Sequence, residues 1–270
     1  MGRDLPTVII AERINPTGRQ RFAADLLRGD LTYVKEEALR QAAAGAEILD
    51  VNVGVAGIDE PQALREAVRL VMDTVEQPLC LDSSNPEALA AALDVYRGKA
   101  LVNSVTAEEA SLAEILPLVA QHRAAVVALP HDERGISPDP GERIRLAGRI
   151  LERAAALGIS ASDVIVDAIV MAVSADGGAA LVTLETLRRL RDELGVNTTV
   201  GASNISFGLP DRLTLNLTFL AMAIQNGLTA PITDPLLPGL RRLCRSADLI
   251  LAKDEWAMRY LDDYRRYPPS

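Results

Sequence analysis

Eight short β-branched segments, each followed by a stretch of helical period, predict a single (β/α)8 TIM barrel spanning residues 1–270. Three observations carry the prediction. The β-then-α alternation is strict, which makes a parallel sheet. Eight units in 270 residues match the length of a closed barrel. No glycine-rich dinucleotide turn marks the switch point of the competing doubly wound open sheet.

Taken in order, the first strand is TVIIA at 7–11, and a helix at about 32–44 ends before Gly45. EILDVNV at 47–53 leads to a helix at 60–76, with Pro61 in its first turn, where a missing N–H costs nothing. PLCLD at 78–82 precedes Asn85-Pro86 and a helix at 86–97, and ALVNSV at 100–105 precedes one at 107–122. AAVVAL at 124–129 is followed by a helix at 140–157 that stops before Gly158, a residue suited to a left-handed cap. DVIVDAIV at 163–170 feeds a helix at 179–194 closed by Gly195, TTVGAS at 198–203 feeds one at 212–226, and APIT at 230–233 feeds one at 239–262. The tail YRRYPPS, 264–270, is expected to fray.

Composition narrows the chemistry. A net charge of −9 opposes non-specific binding to nucleic acid. No apolar run is long enough for a membrane span, and no signal or transit composition opens the chain, so a cytoplasmic protein is expected. The two cysteines, Cys80 and Cys244, make no disulfide framework. With only His122 and His131, no histidine-rich metal site can be written, and no bound metal is expected. Lys35, Lys99 and Lys253 lie away from strand C-termini, which disfavours Schiff-base chemistry. Phosphate-loop, dinucleotide and serine-hydrolase motifs are missing; GASNI at 201–205 lacks the second glycine of a nucleophile elbow.

In a barrel the chemistry belongs at the carboxyl ends of the strands, and there the residues turn polar. The first strand ends in Glu12, Arg13 and Asn15, the second carries Asp50 and Asn52, and the third closes on Asp82, Ser83, Ser84 and Asn85. Asn103, Ser104 and Thr106 follow on the fourth, Asp167 on the sixth, Ser203, Asn204 and Ser206 on the seventh, Thr233 and Asp234 on the eighth. Ser83, Ser84, Asn85, Thr106 and Asp234 read as helix caps. Asp50, Asp82, Asn103 and Asp167 interrupt hydrophobic runs, where an unpaired polar group costs several kcal/mol. They therefore require partners. A mutual structural network is one solution, and a flat nitrogen-rich ring is the other, because carboxylates accept ring N–H groups while amides both donate and accept.

Seven ordered segments extend this reading: ERINPTGR at 12–19, AGAEILDVNVG at 44–54, LDSSNPEAL at 81–89, LVNSVT at 101–106, VIVDAIV at 164–170, GASNISFGLPDR at 201–212 and LNLTFLAMAIQNGLTAPITDP at 215–235. Together they resemble the pterin-binding methyltransferase family, meaning methyltetrahydrofolate:corrinoid methyltransferases and the folate domain of cobalamin-dependent methionine synthase. The resemblance implies a metal-free barrel homodimer that moves a methyl group between methyltetrahydrofolate and a corrinoid (cobalamin) carried by a separate protein. It implies a pterin held by Asp82, Asn103 and Asp167, with Ser203 beside it and Asn204 nearest the methyl-bearing nitrogen. That nitrogen needs protonation to leave. A hydrogen bond from Asn204 that tightens as positive charge develops, or a protonated water held by the Asp82, Asn103 and Asp167 network, would supply this activation. Asn204 cannot itself give up a proton at neutral pH, so it would orient and stabilise the protonated amine.

Glu12, Asn15, Asp50 and Asn52 join the candidate set by position. Phe207 and Arg212 are candidates to border the p-aminobenzoyl group and glutamate tail, although helix packing and a surface salt bridge explain them equally well. Ala11 stands where the family usually has glycine, and His131 matches no functional residue, so a non-catalytic loop role is expected for it. Lacking DxHxxG and GCC segments, the chain is expected to act as a standalone component. Two alternatives stay open. Dihydropteroate synthase shares the pocket but resembles SRK where this chain reads Ser203, Asn204, Ile205. A non-catalytic pterin-binding subunit would keep the cup and transfer nothing. Tetrahydrofolate versus tetrahydromethanopterin, the direction of transfer and the final acceptor are not written in the sequence.

Overall fold

In a computed structural model, which describes residues 1–2 and 4–266, eight parallel strands close into a barrel in sequence order. The strands are β1 (Ile10–Ile14), β2 (Ile48–Val51), β3 (Leu79–Asp82), β4 (Leu101–Thr106), β5 (Ala125–Leu129), β6 (Val164–Asp167), β7 (Asn197–Gly201) and β8 (Ala230–Thr233). Closure is made by β1 and β8, with Ile10 opposite Ile232 and Ala11 opposite Thr233. All eight sequence-predicted strands are present. β1 starts three residues later than TVIIA suggested, so Glu12 and Arg13 lie within the strand rather than beyond it.

The helices surround the barrel: α1 (Gln20–Leu27), α2 (Thr32–Ala43), α3 (Glu60–Met72), α4 (Pro86–Leu93), α5 (Glu109–Gln121), α6 (Pro140–Ala156), α7 (Ala179–Arg189), α8 (Arg212–Gln225), α9 (Leu240–Ile250) and α10 (Met258–Arg266). Asp59, Asn85 and Asp139 cap α3, α4 and α6 by accepting first-turn amide protons, each just before a proline-containing first turn. The sequence reading passed over α1, whose eight residues bury only Phe22 and Leu26.

One predicted helix is in fact two. The stretch 239–262 breaks after Ile250, and Ala252, Trp256 and Ala257 take positive φ. Asp254 explains the restart: its buried carboxylate accepts from the amides of Arg259 at 3.0 Å and Tyr260 at 2.8 Å. Of the predicted frayed tail, 264–266 finish α10, and 267–270 lie outside the described residues.

Two apolar layers result. The larger packs the outer face of the sheet against the helices. The smaller fills the barrel axis with Ile10, Ile48, Cys80, Leu101, Val127, Ile165 and Ala230. Side chains alternate along a strand, so the residue two positions later points the same way. On five strands that residue is polar: Glu12 follows Ile10, Asp50 follows Ile48, Asp82 follows Cys80, Asn103 follows Leu101 and Asp167 follows Ile165.

The opposite end of the barrel is tied to α9 and α10. Asp248 accepts from the Thr7 amide at 3.0 Å and the Thr7 hydroxyl at 2.7 Å, both buried. Glu47 accepts from the Ile9 amide at 2.7 Å and pairs with Arg245 at 2.8 Å. These bonds satisfy the chain leading into β1. Asp248→Ala leaves both Thr7 donors unpaired, at about 1–3 kcal/mol each. The urea midpoint should fall accordingly with an unchanged slope.

Candidate functional site

A cavity of about 500 Å³ opens at the carboxyl ends of the strands, directly above the axial apolar layer. Glu12, Asn15, Asp50, Asp82, Asn103, Ser203, Asn204, Phe207 and Arg212 line it, so nine of the candidate residues converge on one space. Two candidates do not line it. Asn52 turns its side-chain oxygen onto the Gly54 amide at 2.9 Å and acts on the site through its hydrogen bond with Asp82. Asp167 is buried, and its Oδ1 accepts from the Ile169 amide at 2.7 Å. His131 lies outside the cavity.

The polar wall has two poles. At one, β2, β3 and β4 bring Asp50, Asp82 and Asn103 together, with Asp82 in register with Asn103. The Asn103 amide donates to Asp50 Oδ1 at 3.2 Å. Burial pushes Asp50 well above the ordinary carboxylate range, and the charge of Asp82 adds to it. Burial raises Asp82 too, against hydrogen bonds from Asn52 and Asp50. Two neighbouring buried carboxyls hold protons that isolated ones would release.

At the other pole, β1 and the single-turn helix Ala202–Ser206 bring Glu12 against Ser203, whose hydroxyl donates to Glu12 Oε1 at 2.6 Å. Burial raises Glu12, the Ser203 hydrogen bond opposes the rise, and the charge of Asp234 reinforces it. Asn204 follows on the same turn. A Cβ added at Gly201 would stand 3.1 Å from Asn204 Nδ2, so the missing side chain there makes room for the amide. Arg212 holds this turn in place, donating to Ser203 O at 2.8 Å and Ser206 Oγ at 3.0 Å. Its guanidinium lies 5.1 Å from the centre of the exposed Phe207 ring. Arg212 thus serves the backbone and an aromatic face rather than a carboxylate.

Asp167 is positioned from behind. Arg143 is buried on α6 and donates to Ala168 O at 2.7 Å and Ile169 O at 2.9 Å, while the Thr183 hydroxyl donates to Ile169 O at 3.0 Å. Ile169 has φ of 55°, a conformation that β-branched residues adopt only at a cost of about 1–3 kcal/mol. These three hydrogen bonds hold the backbone that presents its amide to Asp167. Burial brings the Asp167 carboxyl to about 7, opposed by the Ile169 amide and the charge of Arg143.

Sequence reasoning missed other wall residues. Arg13 pairs with Asp234 at 3.1 Å, and Asp234 accepts from the Leu236 amide at 3.0 Å in a turn ahead of α9, whose N-cap is Gly239, so the expected cap is a site residue instead. Asn216, buried on α8, lines the cavity with an Oδ1 that has no partner among the described residues. Arg143 carries no sequence signal, because one arginine in an amphipathic helix reads as solvent-facing. Of the other expected caps, Asn85 caps α4, whereas Ser83 accepts from the Asn85 amide ahead of that helix and donates to Glu60 at 2.5 Å, and Thr106 accepts from the amide of Glu108, which is itself the N-cap of α5. The arrangement offers acceptors and donors to a flat ring on one side and a half-open amide on the other.

The family profile described as "Pterin binding enzyme" matches residues 11–234. The chain is 30% identical to a methylcorrinoid:tetrahydrofolate methyltransferase of Eubacterium limosum, covering 96% of each protein. It is 30% identical to a methionine synthase of Mycobacterium tuberculosis over 85% of this chain, which spans only 20% of that protein. Among solved structures, dihydropteroate synthases share the fold: that of Xanthomonas albilineans at TM-score 0.69 and 21% identity, covering 93% of this chain and 96% of its own. That of Yersinia pestis reaches TM-score 0.69 at 16% identity over the same fractions.

Because the folded pKa of Asp167 lies above its unfolded value of about 3.9, stability is fullest below that value and declines as pH rises toward 7. Asp167→Asn should remove that decline, by at most on the order of 4 kcal/mol. Urea unfolding of both proteins between pH 4 and 8 measures it; parallel curves would refute the assignment.

Proposed function

The chain belongs to the pterin-binding enzyme family and is a methyltransferase within it, and from this we propose that it moves the methyl group between N5 of methyltetrahydrofolate and the cobalt of a corrinoid borne by a separate protein. The observation that carries the reading is the two-poled cavity, a carboxyl and amide cup facing an asparagine at the open edge. The pterin pyrimidine edge, with its ring N–H and exocyclic amine, suits Asp82 and Asn103. Asp167 closes the same inward layer from β6, and Asp50 backs Asp82 from below. Asn216, whose side-chain oxygen is buried and unpartnered among the described residues, belongs to the same wall. Phe207 and Arg212 stand at the outer edge, where the p-aminobenzoyl group and tail would leave the barrel.

In this orientation the methyl-bearing nitrogen faces Asn204. A tertiary amine leaves poorly as an anion, so it must be protonated as the carbon–nitrogen bond breaks. Asn204 orients that nitrogen and stabilises its charge through a hydrogen bond that tightens in the transition state. A cavity of about 500 Å³ suits a pterin and is too small for a corrin ring beside it, which favours a corrinoid presented at the mouth by a partner. When bound there, reduced cobalt supplies the nucleophile. The chain's own share is positioning and shielding. The buried free thiols Cys80 and Cys244 fit a reducing, cytoplasmic setting, and no helix among the described residues could cross a membrane.

Dihydropteroate synthase fits less well, because Ser203 and Asn204 occupy the place where that activity would want a cation. Calorimetric titration with methyltetrahydrofolate, followed anaerobically by cob(I)alamin absorbance, tests the proposal. Binding with conversion to methylcobalamin is expected. Alanine at Asp82, Asn103 or Asp167 should weaken binding at least tenfold in folded protein. Asn204→Ala should lower transfer by about 10² with binding largely kept, and Gly201→Ala should approach the same loss. Binding with no transfer would favour a non-catalytic pterin-binding subunit, and no binding would sink the pterin assignment.

A further inference from the structure

The proposed reaction needs a proton at the nitrogen that Asn204 faces, and an amide cannot give one. Four carboxyls line the cavity: Asp50, Asp82, Glu12 and Asp234. Asp50 and Asp82 belong to the opposite pole, and Asp234 is held by Arg13 at 3.1 Å. Glu12 stands on the Asn204 side, and among the described residues no ion pair holds it. Its Oε1 is 2.6 Å from Ser203 Oγ, and Ser203 is the neighbour of Asn204 on one short turn, with both lining the cavity.

Resting on the methyl-transfer reading, we infer that Glu12 is the proton donor of the reaction and that the Ser203 hydroxyl relays its proton to the methyl-bearing nitrogen. The Glu12 carboxyl gives its proton to Ser203 Oγ, and the Ser203 proton passes to N5. The methyl–nitrogen bond then breaks with its electron pair left on nitrogen as a neutral amine. The new carbon–cobalt bond takes its pair from cobalt(I). Glu12 is left as a carboxylate accepting from Ser203, the arrangement present in the structure. Solvent restores the proton once product leaves. In the reverse direction the same carboxylate takes the proton from the secondary amine of tetrahydrofolate.

The surroundings suit a proton store. Burial disfavours the Glu12 anion, and Asp234 from the loop after β8 adds repulsion. The Ser203 hydrogen bond, Arg19 from the loop after β1 and Arg13 on the same strand pull the other way. The net direction is upward, toward a carboxyl that still carries its proton where an exposed glutamate has lost it. Transfer out of methyltetrahydrofolate is therefore faster with Glu12 protonated and slows as pH rises through its pKa.

The test is single-turnover methyl transfer to cob(I)alamin, followed anaerobically from pH 5 to 8, for wild type, Glu12→Gln and Ser203→Ala. Methyltetrahydrofolate dissociation constants are measured alongside. Glu12→Gln keeps the size and one hydrogen bond, so binding should stay within about threefold while transfer falls by about 10² or more and the fall with rising pH disappears. Ser203→Ala should lose about 10-fold or more yet keep the pH dependence, since Glu12 still titrates. Glu12→Gln within threefold of wild type with the pH dependence intact overturns the inference and leaves the methyl-transfer reading standing. Ser203→Ala at the wild-type rate, with Glu12→Gln inactive, overturns the relay. Wild-type protein that binds the folate and transfers nothing overturns the reading itself, and the donor role with it.

Discussion

Alternation of side chains along a closed parallel strand set is the constraint on which the site depends. Each strand sends every second residue to the barrel axis, so a layer of Ile10, Ile48, Cys80, Leu101 and Ile165 obliges Glu12, Asp50, Asp82, Asn103 and Asp167 to form the next layer. The dry layer seals the barrel below, and the polar layer faces the mouth. A one-residue slip in any strand would send its acid into the packing between sheet and helices. Barrel closure and site geometry are thus the same fact.

That placement burdens every carboxyl with desolvation. Glu12, Asp50, Asp82 and Asp167 are all displaced upward, and burial is the leading cause in each. The fold offsets the cost with donors rather than with counter-ions: Asn103 for Asp50, Asn52 for Asp82, the Ile169 amide for Asp167, the Ser203 hydroxyl for Glu12. Neutral donors stabilise without extinguishing basicity or acidity, whereas a close guanidinium would lock a carboxylate in one state. A barrel mouth built this way can hold protons above the ordinary carboxylate range and accept a neutral, nitrogen-rich ring.

Precision at the site comes from groups that never reach the cavity. Arg143 secures the left-handed Ile169, which in turn orients Asp167, and Arg212 secures the turn that carries Ser203 and Asn204. At the far end, Asp248 and Glu47 fasten the start of the barrel to α9 and α10. Both ends use the same device, a side chain that satisfies backbone groups where regular pairing stops.

Much of this is legible in the sequence. Strand number, strand order and the inward polar set follow from local periodicity, because burial on a pleated surface writes a period of two and an amphipathic helix a period of 3.6. Asp82, Asn103, Ser203 and Asn204 stood out as polar residues ending apolar runs, and they meet in one cavity. What periodicity could not express are contacts between residues far apart in the chain. Glu12 and Ser203 are 191 residues apart, Arg13 and Asp234 221 apart, and Arg143 reaches a backbone turn that no local pattern announces. Nor could it express the break before α10, which a buried aspartate sets against a continuous helical pattern. Sequence alone therefore determined the architecture and the candidate residues, since both are properties of single strands and helices. Only the tertiary structure decided which acids share a pole and which stands beside Asn204, because hydrogen bonding and desolvation depend on neighbours that chain closure brings together.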